Sequence, residues 1–234
     1  MTENHRHFIF VFPTEYEALG VFGNKVKGNL THFSINDNCE VSIKILEAGP
    51  PFFQAEYQKF ISENKFSSND TVVLVGIAGS NDPNIGIGDV VNIVSEKFLD
   101  LGAWNQDGTF IPWDELSFRK SMGKVNSFIL EPLLANCLNA SGTTVCSSSG
   151  YDPIFKELYK NNSIQVENME GASFALVNKI YGINGHQIRS ISNFVGPRDT
   201  SNWDIDKALS TLRLEISKFL DLCGRGYHDL FNIK

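Results

Sequence analysis

Three polar residues stand where chemistry is possible. Glu17 follows a short apolar run, in Pro13-Thr14-Glu15-Tyr16-Glu17. Glu170 opens a helix-like stretch, in Met169-Glu170-Gly171-Ala172. Asn193 ends the strand-like run Gln187–Ser192. A positioned carboxylate can take a proton from water as a general base. It can also accept from two neighbouring hydroxyls, each charge-assisted bond being worth roughly 1.5–3 kcal/mol. An amide offers both a donor and an acceptor, but it cannot serve as an acid. Each residue also has a plain reading. Glu17 fits a solvated first-turn carboxylate favoured by the helix dipole. Glu170 is a good residue near a helix start, and Asn193 fits a turn after a strand.

The elements around these residues alternate. Phe8–Phe12 and Val72–Ile77 are continuous apolar runs, as in strands buried on both faces. Glu15–Phe22 reads as a short helix ended by Gly23. Thr31–Asn36 and Val41–Glu47 read as a strand pair joined by Asn36-Asp37-Asn38. Phe52–Asn64 has helical periodicity, and Asp89–Glu96 is a further strand. Leu99–Ser121, rich in Gly, Trp, Asp and Pro, predicts a long loop. Beyond it come a helix at Phe128–Leu138, a strand at Thr143–Ser147 and a helix at Ile154–Lys160. The helix Met169–Tyr181, the strand Gln187–Ser192 and the helix Ile205–Leu222 complete the order. Such alternation predicts one α/β domain over residues 1–234, with a mixed, mainly parallel twisted sheet flanked by helices. Ligands of such sheets bind beyond the carboxyl ends of the strands, where the three polar residues fall. The small residues of Gly76-Ile77-Ala78-Gly79 end one of those strands and let a ligand lie against the backbone, unless they only make a tight turn.

Composition narrows the partners. The chain has 234 residues, 42% of them hydrophobic, enough for a substantial core. A net charge of -7 with no basic stripe argues against nucleic acid and leaves a small molecule as the expected ligand. Cys39, Cys137, Cys146 and Cys223 are scattered, without the spacing of a zinc or redox motif. The longest apolar runs are too short for a signal-peptide core or a bilayer span, so a soluble, cytoplasmic protein is expected, with no metal and no cofactor.

Met169-Glu170-Gly171-Ala172, followed by a helix, a strand and Ser190-Ile191-Ser192-Asn193, resembles the nucleoside phosphorylase and nucleosidase superfamily. The start at Phe12-Pro13-Thr14-Glu15-Tyr16-Glu17-Ala18, the strand end Gly76-Ile77-Ala78-Gly79 and the stretch Asp100-Leu101-Gly102-Ala103 narrow the likeness. So does Ser192-Asn193-Phe194-Val195-Gly196-Pro197-Arg198-Asp199 with Trp203-Asp204-Ile205. Together they resemble the futalosine hydrolase family over nearly the whole chain. The resemblance implies that Met169 and Glu170 hold a ribose and that Ala78 and Gly79 line the sugar and the leaving base. It makes Glu17 the residue that deprotonates water and puts Ser192 among the substrate-binding residues. Arg198, or the loop around Trp104, would hold an aromatic carboxylate of the substrate. Tyr151, Phe155, Trp104 and Phe194 are candidates to stack on the base or that substituent. Glu167 falls outside the register and is expected on the surface, and Glu15 is expected to face away from the site.

Two departures carry information. Many relatives have Ser where this chain has Ile77, so Ile77 receives no polar role. Adenine-releasing relatives often have Asp at the position of Asn193, which can protonate the leaving base. Asn cannot, but its donor and acceptor match the oxygen and the protonated ring nitrogen of a 6-oxopurine such as hypoxanthine. Phosphorylases of this superfamily often carry an early Gly-Asp-Pro turn with arginine nearby. Val11–Leu19 has neither, and Glu17 there would repel phosphate while activating water. The expectation is therefore hydrolysis of futalosine, releasing hypoxanthine, in the alternative route to menaquinone. Methylthioadenosine/adenosylhomocysteine nucleosidase, a phosphorylase of 6-oxopurine nucleosides and a non-catalytic nucleoside-binding protein are the alternatives. Family likeness also implies a homo-oligomer, a dimer or larger.

Overall fold

The computed structural model describes residues 5–116, 127–148, 150, 152–159, 164–196 and 199–224. Its sheet starts from β1 (Arg6–Phe12), whose unbroken apolar run is explained by cover on both faces. Phe8, Phe10 and Phe12 point to one face, where they pack with Phe22, Leu212, Ile216 and Leu220. Ile9 and Val11 point to the other and pack with Phe53, Tyr57, Phe174 and Val177. The first layer consists of α1 (Glu15–Phe22) and α5 (Ile205–Gly224), the second of α2 (Pro50–Glu63) and α4 (Gly171–Tyr181).

On either side of β1 lie β3 (Cys39–Ile45) and β4 (Asp70–Ser80), both parallel to it. Antiparallel β2 (Leu30–Asn36) closes one edge against β3. On the other side, β11 (Gly185–Phe194) runs parallel to β4 and antiparallel to β5 (Val90–Lys97). Then follow β9 (Leu138–Thr144), parallel to β5, and β10 (Val166–Asn168), parallel to β9. The short β10 also meets the end of β4 antiparallel, Val166 opposite Ser80 and Glu167 opposite Gly79. A mixed α/β sheet with helices on both faces is therefore present, as the alternating pattern predicts. Among the described residues, no helix is long and apolar enough to cross a membrane.

The region between Leu99 and Asn168 differs most from the sequence reading. Residues 128–138 form no helix. Phe128 and Leu130 are buried and Ile129 is exposed, a period-two pattern that belongs to β8 (Ser127–Ile129), antiparallel to β5. Pro132 follows, and the chain is then tied down by the buried Asn92 of β5. The Asn92 Oδ1 accepts from the Leu133 and Leu134 amides, and its Nδ2 donates to the Leu134 carbonyl. Tertiary hydrogen bonds thus replace the helical ladder that the leucine spacing suggested. The strand expected at Thr143–Ser147 is β9, which begins earlier, at Leu138. The expected loop from Leu99 contains a hairpin of β6 (Gly102–Trp104) and β7 (Phe110–Pro112), and residues 117–126 lie outside the described ones. The helix expected from Ile154 is α3 (Asp152–Tyr159).

Candidate active site

A cavity of about 830 Å³ opens at the carboxyl ends of β1, β4, β10 and β11. Its wall includes Glu17, Ile77, Ala78, Gly79, Met169, Glu170, Ser192 and Asn193. The fold thus brings together seven of the expected site residues, and Ile77 joins them as an apolar wall residue. Arg198 and Tyr151 lie outside the described residues, as does the side chain of Phe155. Trp104 does not line this cavity. It sits on the exposed β6–β7 hairpin, its ring 5.0 Å from that of Phe110. Phe194 lines the cavity, as do Trp203, from the second block of the motif, and Asn202 just before it.

Glu17 is only 6% exposed, which rules out the solvated first-turn reading. Thr14 is the N-cap of α1, and its hydroxyl accepts from the Glu17 amide at 3.2 Å. Thr-x-x-Glu is the spacing of a capping box, in which the glutamate would reach back to the cap amide. Here the carboxylate turns outward instead. Oε2 accepts from the Thr14 hydroxyl at 2.5 Å, and Oε1 accepts from the Ile77 amide of β4 at 2.9 Å. Burial pushes this carboxyl up to about 7, and Glu170 adds to the rise. The Thr14 hydroxyl, the Ile77 amide and Arg189 pull it back down. A carboxyl held near neutrality at the floor of a cavity is suited to taking a proton from water. Gly76 permits the approach, since a β-carbon there would lie 2.7 Å from Glu17 Oε1 and 2.6 Å from Arg189 Nη1. The neighbouring Glu15 is exposed.

Glu170 occupies the N-cap position of α4, also buried. Its Oε2 pairs with Arg189 Nη2 at 3.0 Å, and its Oε1 accepts from the Gly49 amide at 3.2 Å. The cap itself is supplied by Asn168, whose Oδ1 accepts from the Glu170 and Gly171 amides at 3.0 and 2.7 Å. Arg189, on β11, is a buried ion-pair residue, and its Nη1 also donates to the Ile77 carbonyl at 3.3 Å. Glu167 is corrected by the structure. The pairing of β10 with both β9 and β4 turns it inward, so it is buried, lines the cavity and accepts from the Tyr159 hydroxyl at 2.6 Å.

At the end of β11 the register with β4 slips between Ile191 and Asn193. Such a bulge re-aims side chains, and bulges gather at strand ends beside sites. The Ser192 hydroxyl lies 2.8 Å from Asn193 Oδ1 and 3.2 Å from the Ala78 carbonyl, to which it can donate. Asn193 Nδ2 donates to the Phe194 carbonyl at 3.0 Å. One amide hydrogen and one lone pair of the oxygen are then left for a ligand. Gly79 gives this amide its place, a β-carbon there falling 3.2 Å from Asn193 Nδ2.

Thr14, Gly76 and Asn168 were missing from the sequence reading as site residues. Thr14 carries a local signal in its spacing of three from Glu17, and Asn168 one in its place just before a helix start, where it caps the Glu170 and Gly171 amides. Gly76 acts only through Glu17 and Arg189, far along the chain.

A buried carboxylate raised toward neutrality, a second carboxylate backed by arginine and an amide thus line one cavity at a sheet edge of an α/β fold. The phosphorylase superfamily model matches residues 65–223, more than half of the chain, and the protein belongs to that superfamily. Among curated relatives, it is 30% identical over 158 residues to a futalosine hydrolase of Streptomyces coelicolor, covering 64% of each chain. It is 28% identical over 161 residues to a futalosine hydrolase of Thermus thermophilus, covering 64% of this chain and 69% of that one. The chain thus spans a little under two thirds of the first relative's length. Among solved structures, a futalosine hydrolase mutant of Helicobacter pylori superposes with a TM-score of 0.71 at 15% identity, covering 93% of this chain and 99% of that one. A methylthioadenosine/adenosylhomocysteine nucleosidase of Colwellia psychrerythraea, in complex with adenine, gives 0.69 at 16% identity, covering 93% and 95%. At such identities the likeness shows the shared fold.

Proposed function

We propose that this protein hydrolyses the N-glycosidic bond of futalosine, releasing hypoxanthine and dehypoxanthine futalosine on the futalosine route to menaquinone. The observation that carries hydrolysis is Glu17. Its buried carboxyl, raised to about 7, sits at the strand edge where a phosphate-using enzyme needs positive charge. In this reading Glu170 accepts from the two ribose hydroxyls and Met169 covers the sugar face. Glu17 takes a proton from water, and the water oxygen bonds to the anomeric carbon as the bond to the purine breaks. The bonding electrons leave on the base, which regains a proton through solvent. Asn193 donates to the purine oxygen and accepts from its ring N–H, so the leaving group is held without an acid. Ala78, Gly79 and Ser192 line the sugar and base, Tyr151 stacks on an aromatic part of the substrate, and Arg198 binds its carboxylate.

The names of the curated relatives support futalosine in particular, and the cavity of about 830 Å³ leaves room beyond a nucleoside. A methylthioadenosine/adenosylhomocysteine nucleosidase is the second reading, favoured by the fold shared with such an enzyme. Asn193 weighs against it. We further propose one domain over the full chain, a cytoplasmic location and a homo-oligomer of two or more copies. The deciding experiment incubates the protein with futalosine, inosine and methylthioadenosine, with and without phosphate, and measures free base. Hypoxanthine release from futalosine at the same rate in both conditions is expected. Faster release of adenine from methylthioadenosine, or a requirement for phosphate, would overturn the proposal.

A further inference from the structure

Behind the cavity, and outside its lining, lies a further carboxylate that the proposed reaction does not use. Glu96 of β5 is sealed beneath the start of α4, 1% exposed. Four donors converge on it. Asn168 Nδ2 and Gln187 Nε2 donate to Oε2 at 2.8 and 3.2 Å. The Thr144 hydroxyl and the Lys97 amide donate to Oε1 at 3.2 and 3.3 Å. Two glycines clear its space. A β-carbon on Gly142 would fall 2.6 Å from Oε2, and one on Gly171 would collide with the same oxygen. Burial, more than any other cause, pushes this carboxyl up to about 7, so keeping it in the core is costly.

What Glu96 holds is the direction of the Asn168 amide. With Nδ2 on Glu96 at 2.8 Å and more weakly on the Thr143 carbonyl at 3.2 Å, Asn168 Oδ1 faces the Glu170 and Gly171 amides and Arg189 Nη2, the last at 3.2 Å. Turned over, the amide would aim its NH2 at two backbone donors and a guanidinium. The same Arg189 nitrogen pairs with Glu170 Oε2. The chain of contacts runs Glu96 to Asn168, Asn168 to Arg189 and the α4 start, and both of these to Glu170. We infer that Glu96 is a positioning residue for the ribose subsite, fixing the Asn168 amide and through it the place of the Glu170 carboxylate. The inference rests on the nucleosidase reading of the site.

The test compares two ligands that differ only in the hydroxyls Glu170 would touch, with the free base as control. Binding of inosine, 2′,3′-dideoxyinosine and hypoxanthine is measured by calorimetry in the full chain carrying Glu17→Gln, which slows turnover by about 10²–10⁴. The factor by which inosine outbinds the dideoxy compound is then compared across further variants. Glu96→Met removes the acceptor at similar size and should shrink that factor by about tenfold, the worth of one charge-assisted bond, with hypoxanthine binding little changed. Glu96→Gln keeps one acceptor oxygen for Asn168 and should retain most of the factor. Asn168→Asp opposes two carboxylates and should lose it. The exchange Glu96→Gln with Asn168→Asp restores a donor–acceptor pair in reverse and should recover it, which keeps the test decisive if Glu96→Met does not fold. Equal weakening of all three ligands, an unchanged factor in Glu96→Met, or an exchange no better than Asn168→Asp alone would overturn the inference. The nucleosidase reading fails separately, if the unmodified protein releases no base from any nucleoside.

Discussion

Glu17 must be ionised to accept a proton, and its carboxyl is raised to about 7. The acid limb of kcat/KM for futalosine should therefore bend near neutrality, with activity rising as pH increases through about 7. A pH profile flat from 5.5 to 8.5 would remove Glu17 as the base, that range being roughly the raised value with a margin on each side. Glu17→Gln should lower turnover by about 10²–10⁴, the usual worth of a general base. Its effect on stability has the opposite sign. Between the ordinary 4.5 and about 7, the folded chain holds a proton that the unfolded chain has lost. Folding takes up that proton, so the stability contributed by Glu17 falls as pH rises through this window. The glutamine variant lacks this loss, and calorimetry should show its Tm declining less than that of the wild type from acid to neutral pH. At the other wall, Asn193→Asp places an acid beside the base. It should move the ratio of kcat/KM for methylthioadenosine over futalosine upward by at least about tenfold, each 1.4 kcal/mol of discrimination being a factor of ten. An unchanged ratio would detach position 193 from base choice.

At the scale of elements, α1 and α4 each point an N-terminus at the cavity and hold a carboxylate there. Thr14 does two jobs for α1, capping the helix and donating to Glu17. Thr14→Val should cost about 1 kcal/mol of stability through the lost cap. The Thr14 hydroxyl lowers the Glu17 pKa, so its removal should also shift the acid limb of the kcat/KM profile to higher pH. A stability loss with an unmoved limb would leave Thr14 a cap and nothing more. Elements with unbroken apolar runs or a strong start signal were legible: β1, β4, α1 and α5 lie close to where the pattern puts them. Residues 127–144 were not. Leu130, Leu133 and Leu134 have helical spacing, but Pro132 and the distant Asn92 side chain take the backbone groups that a helix would use.

Over the whole molecule, one sheet gathers groups from both ends of the chain to a single edge. Tyr16 and Phe194 stand exposed at the rim of the cavity, with Leu19 and Phe52 exposed on α1 and α2. Large apolar side chains left at a surface are what self-association covers. Sedimentation at micromolar concentration should report a dimer or larger, and a strictly monomeric protein with full activity would sink the oligomer proposal.

The local pattern was enough to place Glu17 and Asn193 just beyond strands and Glu170 at a helix start, because an alternating α/β pattern assigns such edges from periodicity alone; the strand before Glu170, β10, came only from the structure. Residue type was also enough to separate an amide from an acid at position 193, since that is a property of one side chain. The state of those groups was out of reach. Glu17 is raised by burial and held by Ile77, Glu170 is held by Gly49 and Arg189, and Glu167 is turned inward by the pairing of β10. Desolvation and hydrogen bonding depend on what packs against a residue, and here the partners stand tens of positions away in the chain. Folding alone brings them within reach.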